Sequence, residues 1–117
     1  MSEWRAEQHE HNLRFCDQLD QRTYPDWAVT GRFYAAVVLV DGVIEKERGS
    51  APVGHEERAK IIQAHASTRP IWPDYDALKS MSERARYRTP HSRWTPEDVR
   101  EAEGLLEAIR TQIGQRL

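Results

Sequence analysis

The run DWAVTGRFYAAVVLVDGVIEKER, from Asp26 to Arg48, constrains this chain more than any other stretch. Between Trp27 and Ile44 it holds Ala28, Val29, Phe33, Tyr34, the block Ala35 to Val40, Val43 and Ile44. Its apolar residues therefore cover most of a helical circumference. A surface helix carries one apolar stripe, whereas a helix apolar all round is buried. The stretch is too long without a proline or turn pair to be a strand, and Asp26 offers a capping oxygen just before the periodic residues begin. It reads as the central helix of an all-α domain.

The remaining segments supply helices to surround it. Residues 3 to 21 carry Trp4, Leu13, Cys16 and Leu19 among charged residues, the pattern of an amphipathic first helix that ends before Pro25. Gly31 and Gly42 stand eleven residues apart, three helical turns, and mark a face where a neighbouring helix approaches closely. The sequence Glu45-Lys-Glu-Arg48-Gly49 is a helix stop, and the loop from Gly49 to Gly54 contains Pro52. A third helix is predicted over His55 to Ser67 with a narrow stripe of Ala59, Ile62 and Ala66. A fourth runs from Asp74 to about Tyr87 on Tyr75, Leu78, Met81 and Ala85. The segment Thr95-Pro-Glu-Asp98 combines a threonine cap, a first-turn proline and acids at the positive end of the dipole. It opens a last helix that buries Val99, Ala102, Leu106, Ile109 and Ile113. The expectation is a single domain over residues 1–117: an up-and-down bundle of four long helices and a shorter one, with 26–47 its most buried segment.

Composition narrows the function classes. Apolar residues make up 38% of the 117 and charged residues 31%, a thin core for a monomer, and so an expectation of a homodimer. A single cysteine, Cys16, excludes an internal disulfide and any cysteine-based metal cluster and reads as a small buried side chain. His9 and His11 are two apart, point to different sides of a helix and read as solvated surface histidines rather than as metal ligands. The longest apolar block, Ala35 to Val40, is too short to span a bilayer, and the N-terminal residues lack an apolar signal segment. A cytoplasmic protein without membrane contact, cofactor or metal is expected.

The formal charge is −2, but it is unevenly spread. From Lys79 to Trp94, five cations stand against Glu83 alone, a local +4. This is the basic patch of the chain. It contains Arg84, Arg86, Tyr87, Arg88 and His91, with Trp72, Tyr87 and Trp94 available to stack on bases. Catalytic signatures such as GxSxG, HExxH, a Walker loop or a dinucleotide fingerprint are absent. Two further groups are candidates. Tyr34 and Asp41 are seven apart on one face of the central helix and need partners, for which Arg58, Arg84 and Arg86 are placed to serve. His55 and Arg58 share a face at the start of the third helix. There His55 can cap the terminus and Arg58 can pair with Glu57 or Asp41.

Three stretches taken together, DWAVTGRFYAAVVLVDGVIE, GHEERAKII and YDALKSMSERARY, resemble small bacterial members of the HEPN-domain family. The resemblance spans roughly residues 10 to 115. It implies a HEPN-like bundle and an RNA- or nucleotide-binding role in a toxin-antitoxin or defence-type system. Implied partners are a second copy, a cognate antitoxin or a nucleotidyltransferase. Members that cut RNA without metal use Arg, four to six residues, then His, with the site completed by a second subunit. On this chain Arg86 to His91 fits with four intervening residues and Arg84 to His91 with six, and position relative to the last two helices favours Arg86 and His91, in which guanidinium would hold the phosphate and imidazole would move the proton. Arg84, Arg88, Tyr87, His55, Arg58, Tyr34 and Asp41 are the binding or supporting residues. The chain departs from the family pattern in placing Tyr87 directly after Arg86, and in putting His91 in a loop before the last helix. The same spacing recurs at Arg5 to His11 and Arg58 to His65.

Overall fold

The computed structural model describes residues 3–116, and among these every regular element is helical. The five α-helices are α1 (Glu3–Gln18), α2 (Pro25–Arg48), α3 (Gly54–Ala64), α4 (Trp72–Glu83) and α5 (Pro96–Ile113). They form an elongated bundle of 41 × 25 × 23 Å. Helix α2 lies at its centre, against α1, α4 and α5.

The all-round apolarity of α2 is consumed inside the monomer. Ala28, Val29, Phe33, Ala35, Ala36, Leu39, Val40, Val43 and Ile44 are all buried, and they meet Tyr75, Leu78 and Met81 of α4 and Val99, Ala102, Leu106, Ile109 and Ile113 of α5 in one core. By length and composition α2 would also pass as a membrane span, but 78% of its apolar window is buried within the fold. Its start differs from the expectation. Pro25 occupies the first turn and the cap position falls on Tyr24, so Asp26 sits inside the first turn, where its charge favours the dipole without bonding a backbone N–H. The helix ends as expected at Gly49, whose φ of 88° lets its N–H close on the Glu45 carbonyl at 2.8 Å.

Gly31 marks the close approach of α1. A Cβ there would stand 2.9 Å from Cys16 Sγ and 3.3 Å from the Phe15 ring, so only glycine admits the buried cysteine. A polar tie joins α2 to α5: the buried Arg32 bonds its own helix at the Ala28 carbonyl and reaches Glu103 at 3.1 Å. The last helix begins with a complete capping box between Thr95 and Asp98.

Helix α3 stops at Ala64, short of Ser67, because later side chains take its terminal carbonyls. Thr68 Oγ1 donates to the Ile62 carbonyl, and the Arg69 guanidinium donates to the Gln63 and Ala64 carbonyls. Helix α4 also ends early. Over Arg84–Arg88 it widens into a π turn closed by Thr89 N–H on the Arg84 carbonyl at 2.8 Å.

His9 overturns its reading as a surface residue. It is 4% exposed, packed between α1 and α2, and its Nδ1 donates to the Ala35 carbonyl at 2.8 Å while Nε2 is buried without a partner. His11 is exposed as expected. Burial, helped by the positive Arg110, lowers the His9 pKa below the ordinary histidine value, against the opposing pull of the Ala35 carbonyl and a smaller one from Glu10. A histidine whose folded pKa is depressed binds fewer protons folded than unfolded as the pH drops below about 6.5. Its contribution is present above that pH and is lost as the pH falls toward the folded value. Thermal melts should therefore lose stability from pH 7 to pH 5, and His9→Asn, which keeps a donor near Nδ1 but cannot titrate, should flatten that loss. An unchanged pH slope in the variant would remove His9 as its source.

Candidate functional site

Asp41 and Arg58 are the most deeply buried opposite charges in contact among the described residues, 6% and 5% exposed. Arg58, on the second turn of α3, donates from Nε to Asp41 Oδ1 at 2.6 Å and from Nη2 to Oδ2 at 2.9 Å. The fork matches both carboxylate oxygens, the strong geometry for such a pair. Burial acts to lower the Arg58 pKa, and Asp41 more than offsets it, so the guanidinium stays charged. Arg5 of α1 flanks Asp41 at 3.7 Å and Glu45 at 3.3 Å, which joins α1, α2 and α3 in one charge network. Tyr75 is buried beside Arg58. Its hydroxyl lacks the geometry of a hydrogen bond, and burial raises its pKa against the pull of Arg58.

The third guanidinium nitrogen of Arg58 orients His55. Nη1 lies 2.9 Å from His55 Nδ1, and since arginine can only donate, Nδ1 is the acceptor and the neutral ring carries its proton on Nε2. His55 does not cap its helix: the cap position falls on Val53. Its ring stands 5.7 Å from that of Phe33 and is otherwise exposed. Partial burial lowers its pKa first, followed by the charges of Arg58, Lys79 and Arg86, with Glu83 opposing. A neutral N–H donor thus faces outward among cations.

The basic segment supplies the other side. The π turn directs Arg86 back onto α2, where Nη1 donates to Tyr34 Oη at 2.8 Å and the guanidinium stands 5.4 Å from the Tyr34 ring and 5.1 Å from that of Tyr87. Arg84 leans the other way, over Trp94 at 5.7 Å. Among the described residues, Arg84, Arg86 and Arg88 make no salt bridge. Lys79 takes Glu83 at 2.6 Å, a carboxylate on which Arg88 and Arg86 also act more weakly. The side-chain partners of Arg84 and Arg86 are neutral, so their charge remains available to a ligand.

The structure brings together Tyr34, His55, Arg58 and Arg86, with Asp41 behind them. Among the described residues no hydrogen bond or ring contact joins Arg86 to His91, the expected pair. Arg86 turns toward α2, and His91 lies in a short 3-10 turn, His91–Arg93, where among the described residues its exposed side chain has no hydrogen bond, ion pair or ring contact. Pro90 and the Thr95 cap hold that turn outside the last helix. Of the aromatics expected to stack on bases, Trp94 is buried and Trp72 packs on Tyr75, so only Tyr87, 76% exposed, is free. Lys79, Glu83 and Phe33 also belong to the site and were missed as such. The spacing of Lys79 and Glu83 signals a helical pair, but only packing shows that it lies beside His55.

The arrangement suits binding better than proton transfer. A general base needs a lone pair facing the substrate, and the Arg58 bond occupies the lone pair of Nδ1 and leaves a donor at Nε2. Donors and cations pointing outward together form an anion surface. Among the described residues no cluster of three His, Cys, Asp or Glu side chains could hold a metal ion. Comparison of the chain with protein-family models, with curated proteins and with solved structures gives no match.

Removing one member of a buried ion pair strands the other. Asp41→Ala should lower the unfolding free energy by about 3–5 kcal/mol, read from urea titrations, whereas the double replacement Asp41→Leu with Arg58→Met should cost much less than the two single losses together. A loss below about 1 kcal/mol for Asp41→Ala would mean that the pair is solvated like a surface one.

Proposed function

We propose that the chain is a HEPN-like RNA- or nucleotide-binding helical domain whose phosphate-recognition surface joins His55, on α3, to Arg84, Arg86 and Arg88. The observation that carries this reading is the charge of Arg84 and Arg86, held by tryptophan and tyrosine rather than paired with carboxylates. A purely structural use of the segment would have spent these cations on Asp41 or Glu57. Asp41 is instead taken by Arg58 and flanked by Arg5. Arg86 presents further N–H groups to a phosphate oxygen, His55 offers Nε2–H beside it, and the exposed ring of Tyr87 can stack on a base. The place of such a domain in a toxin-antitoxin or defence-type system, beside an antitoxin or nucleotidyltransferase, rests on the resemblance of its three sequence stretches to the HEPN family.

Metal-independent RNA cleavage would make a different demand. Proton transfer would fall to His91, which has no side-chain partner among the described residues, with a second copy completing the site.

Fluorescence anisotropy with a labelled single-stranded oligoribonucleotide at low salt tests the proposal. Arg86→Ala should weaken binding and reduce the slope of log K against log salt by about 0.7, the share of one phosphate contact on a single strand. His55→Ala should cost roughly tenfold, the loss of one hydrogen bond to a charged group. His91→Ala should bind as wild type does. No detectable binding by the wild type would end the proposal. EDTA-resistant cleavage abolished by His91→Ala would replace it with the nuclease.

A further inference from the structure

Beside the anion surface, where the start of α2 meets the π turn, lies a hollow of about 230 Å³ bordered by Asp26, Trp27, Thr30, Ala85, Arg86 and Tyr87. Two of its rings stand in solvent: Trp27 is 53% exposed and Tyr87 76%. The core closes without either of them. Arg86 covers Tyr87 at 5.1 Å, which occupies one face of that ring and leaves the other open. Asp26 is half-buried, and among the described residues its side chain has no hydrogen bond or ion pair. Thr30, a donor placed to meet it, gives its hydroxyl to the Asp26 backbone carbonyl instead, at 2.9 Å. Arg86 spends Nε on the Ser82 carbonyl and one N–H of Nη1 on Tyr34, and among the described residues Nη2 is uncommitted.

We infer that this hollow reads guanine, so that the nucleotide the anion surface prefers is a guanosine; the inference rests on the phosphate-binding reading above. An ionised carboxylate can only accept, and it does so through two adjacent oxygens. Among the bases of RNA, guanine alone sets two donors side by side on its Watson–Crick edge, N1–H and the N2 amino group. Adenine and cytosine place a ring lone pair beside their amino group, and uracil flanks N3–H with two carbonyls. Each of these turns a lone pair toward Asp26 and leaves an oxygen of the carboxylate unmet. Trp27 and Tyr87 can stack on any base, so the rings supply affinity and Asp26 supplies the choice. The volume is smaller than the roughly 300–1,000 Å³ of a pocket for a drug-sized ligand and suits one planar base with its sugar outside. The phosphate then falls to Nη2 of Arg86, which uses that charge and does not cancel it.

Competition anisotropy tests it, with a labelled oligouridylate displaced by unlabelled oligouridylates that carry one central guanosine, inosine or adenosine. The guanosine oligomer should bind roughly tenfold tighter than the adenosine one, a difference set by hydrogen bonds to a charged group. Inosine, which keeps N1–H and lacks the amino group, should fall between them. Asp26→Asn should erase the guanosine preference and yet tighten binding of the all-uridine oligomer, because a negative charge leaves the path of the phosphates. Trp27→Ala, at an exposed position and with an unchanged circular dichroism melt, should weaken binding of the guanosine oligomer roughly tenfold through the loss of one stacking partner. Equal affinity for the guanosine and adenosine oligomers would overturn the inference; if that binding still fell in Arg86→Ala, the anion surface would stand without it. A guanosine preference that survives Asp26→Asn in a folded protein would overturn it as well. Failure of every oligomer to bind would end the inference together with the reading it rests on.

Discussion

The Arg58 guanidinium, almost wholly removed from water, depends on Asp41, and much of the site depends on that bond. Two buried charges are tolerated only when each is met by the other at good geometry, and the two-pronged contact here meets that demand. It draws the start of α3 onto α2. With Nε and Nη2 committed to the carboxylate, Nη1 is left to orient His55. One ion pair therefore sets both the position of a helix and the tautomer of an exposed histidine.

That tautomer separates two chemistries that the residue types alone leave equivalent. Histidine beside arginine suits an RNA-cleaving site and a phosphate-binding one equally well. Because Arg58 donates to Nδ1, the neutral His55 ring carries its N–H on Nε2, and partial burial, then the charges of Arg58, Lys79 and Arg86, resist its protonation. Such a ring can hold an anion but is poorly set to take a proton from a hydroxyl. The π turn complements it by carrying Arg86 to Tyr34 on α2, with the hydrogen bond to a neutral phenol fixing the guanidinium without cancelling its charge.

The central helix divides its labour by face. Its inner positions fill the core between α1, α4 and α5, Asp41 anchors α3, and Arg32 reaches Glu103 on α5. What remains outward is Trp27 and Tyr34, too large and too apolar to be ordinary surface residues when clustered with Phe15. The core is closed within one chain, and the apolar surface left over is a local strip rather than a whole helix face.

Periodicity and local chemistry determined the helices, the burial of α2, the stripes of α4 and α5, the stop at Gly49 and the capping box at Thr95, because these depend on neighbours a few residues apart. They also showed that Tyr34 and Asp41 share a face and require partners, with Arg58 and Arg86 among the candidates. Only tertiary structure decided which arginine met which group, since the contacts of Asp41 with Arg58 and of Tyr34 with Arg86 span 17 and 52 residues. It alone buried His9, whose environment is made by α2 rather than by its own helix. It also set Arg86 against Tyr34, because a five-residue widening of the α4 terminus re-aims the side chains it contains while leaving the sequence spacing between them untouched.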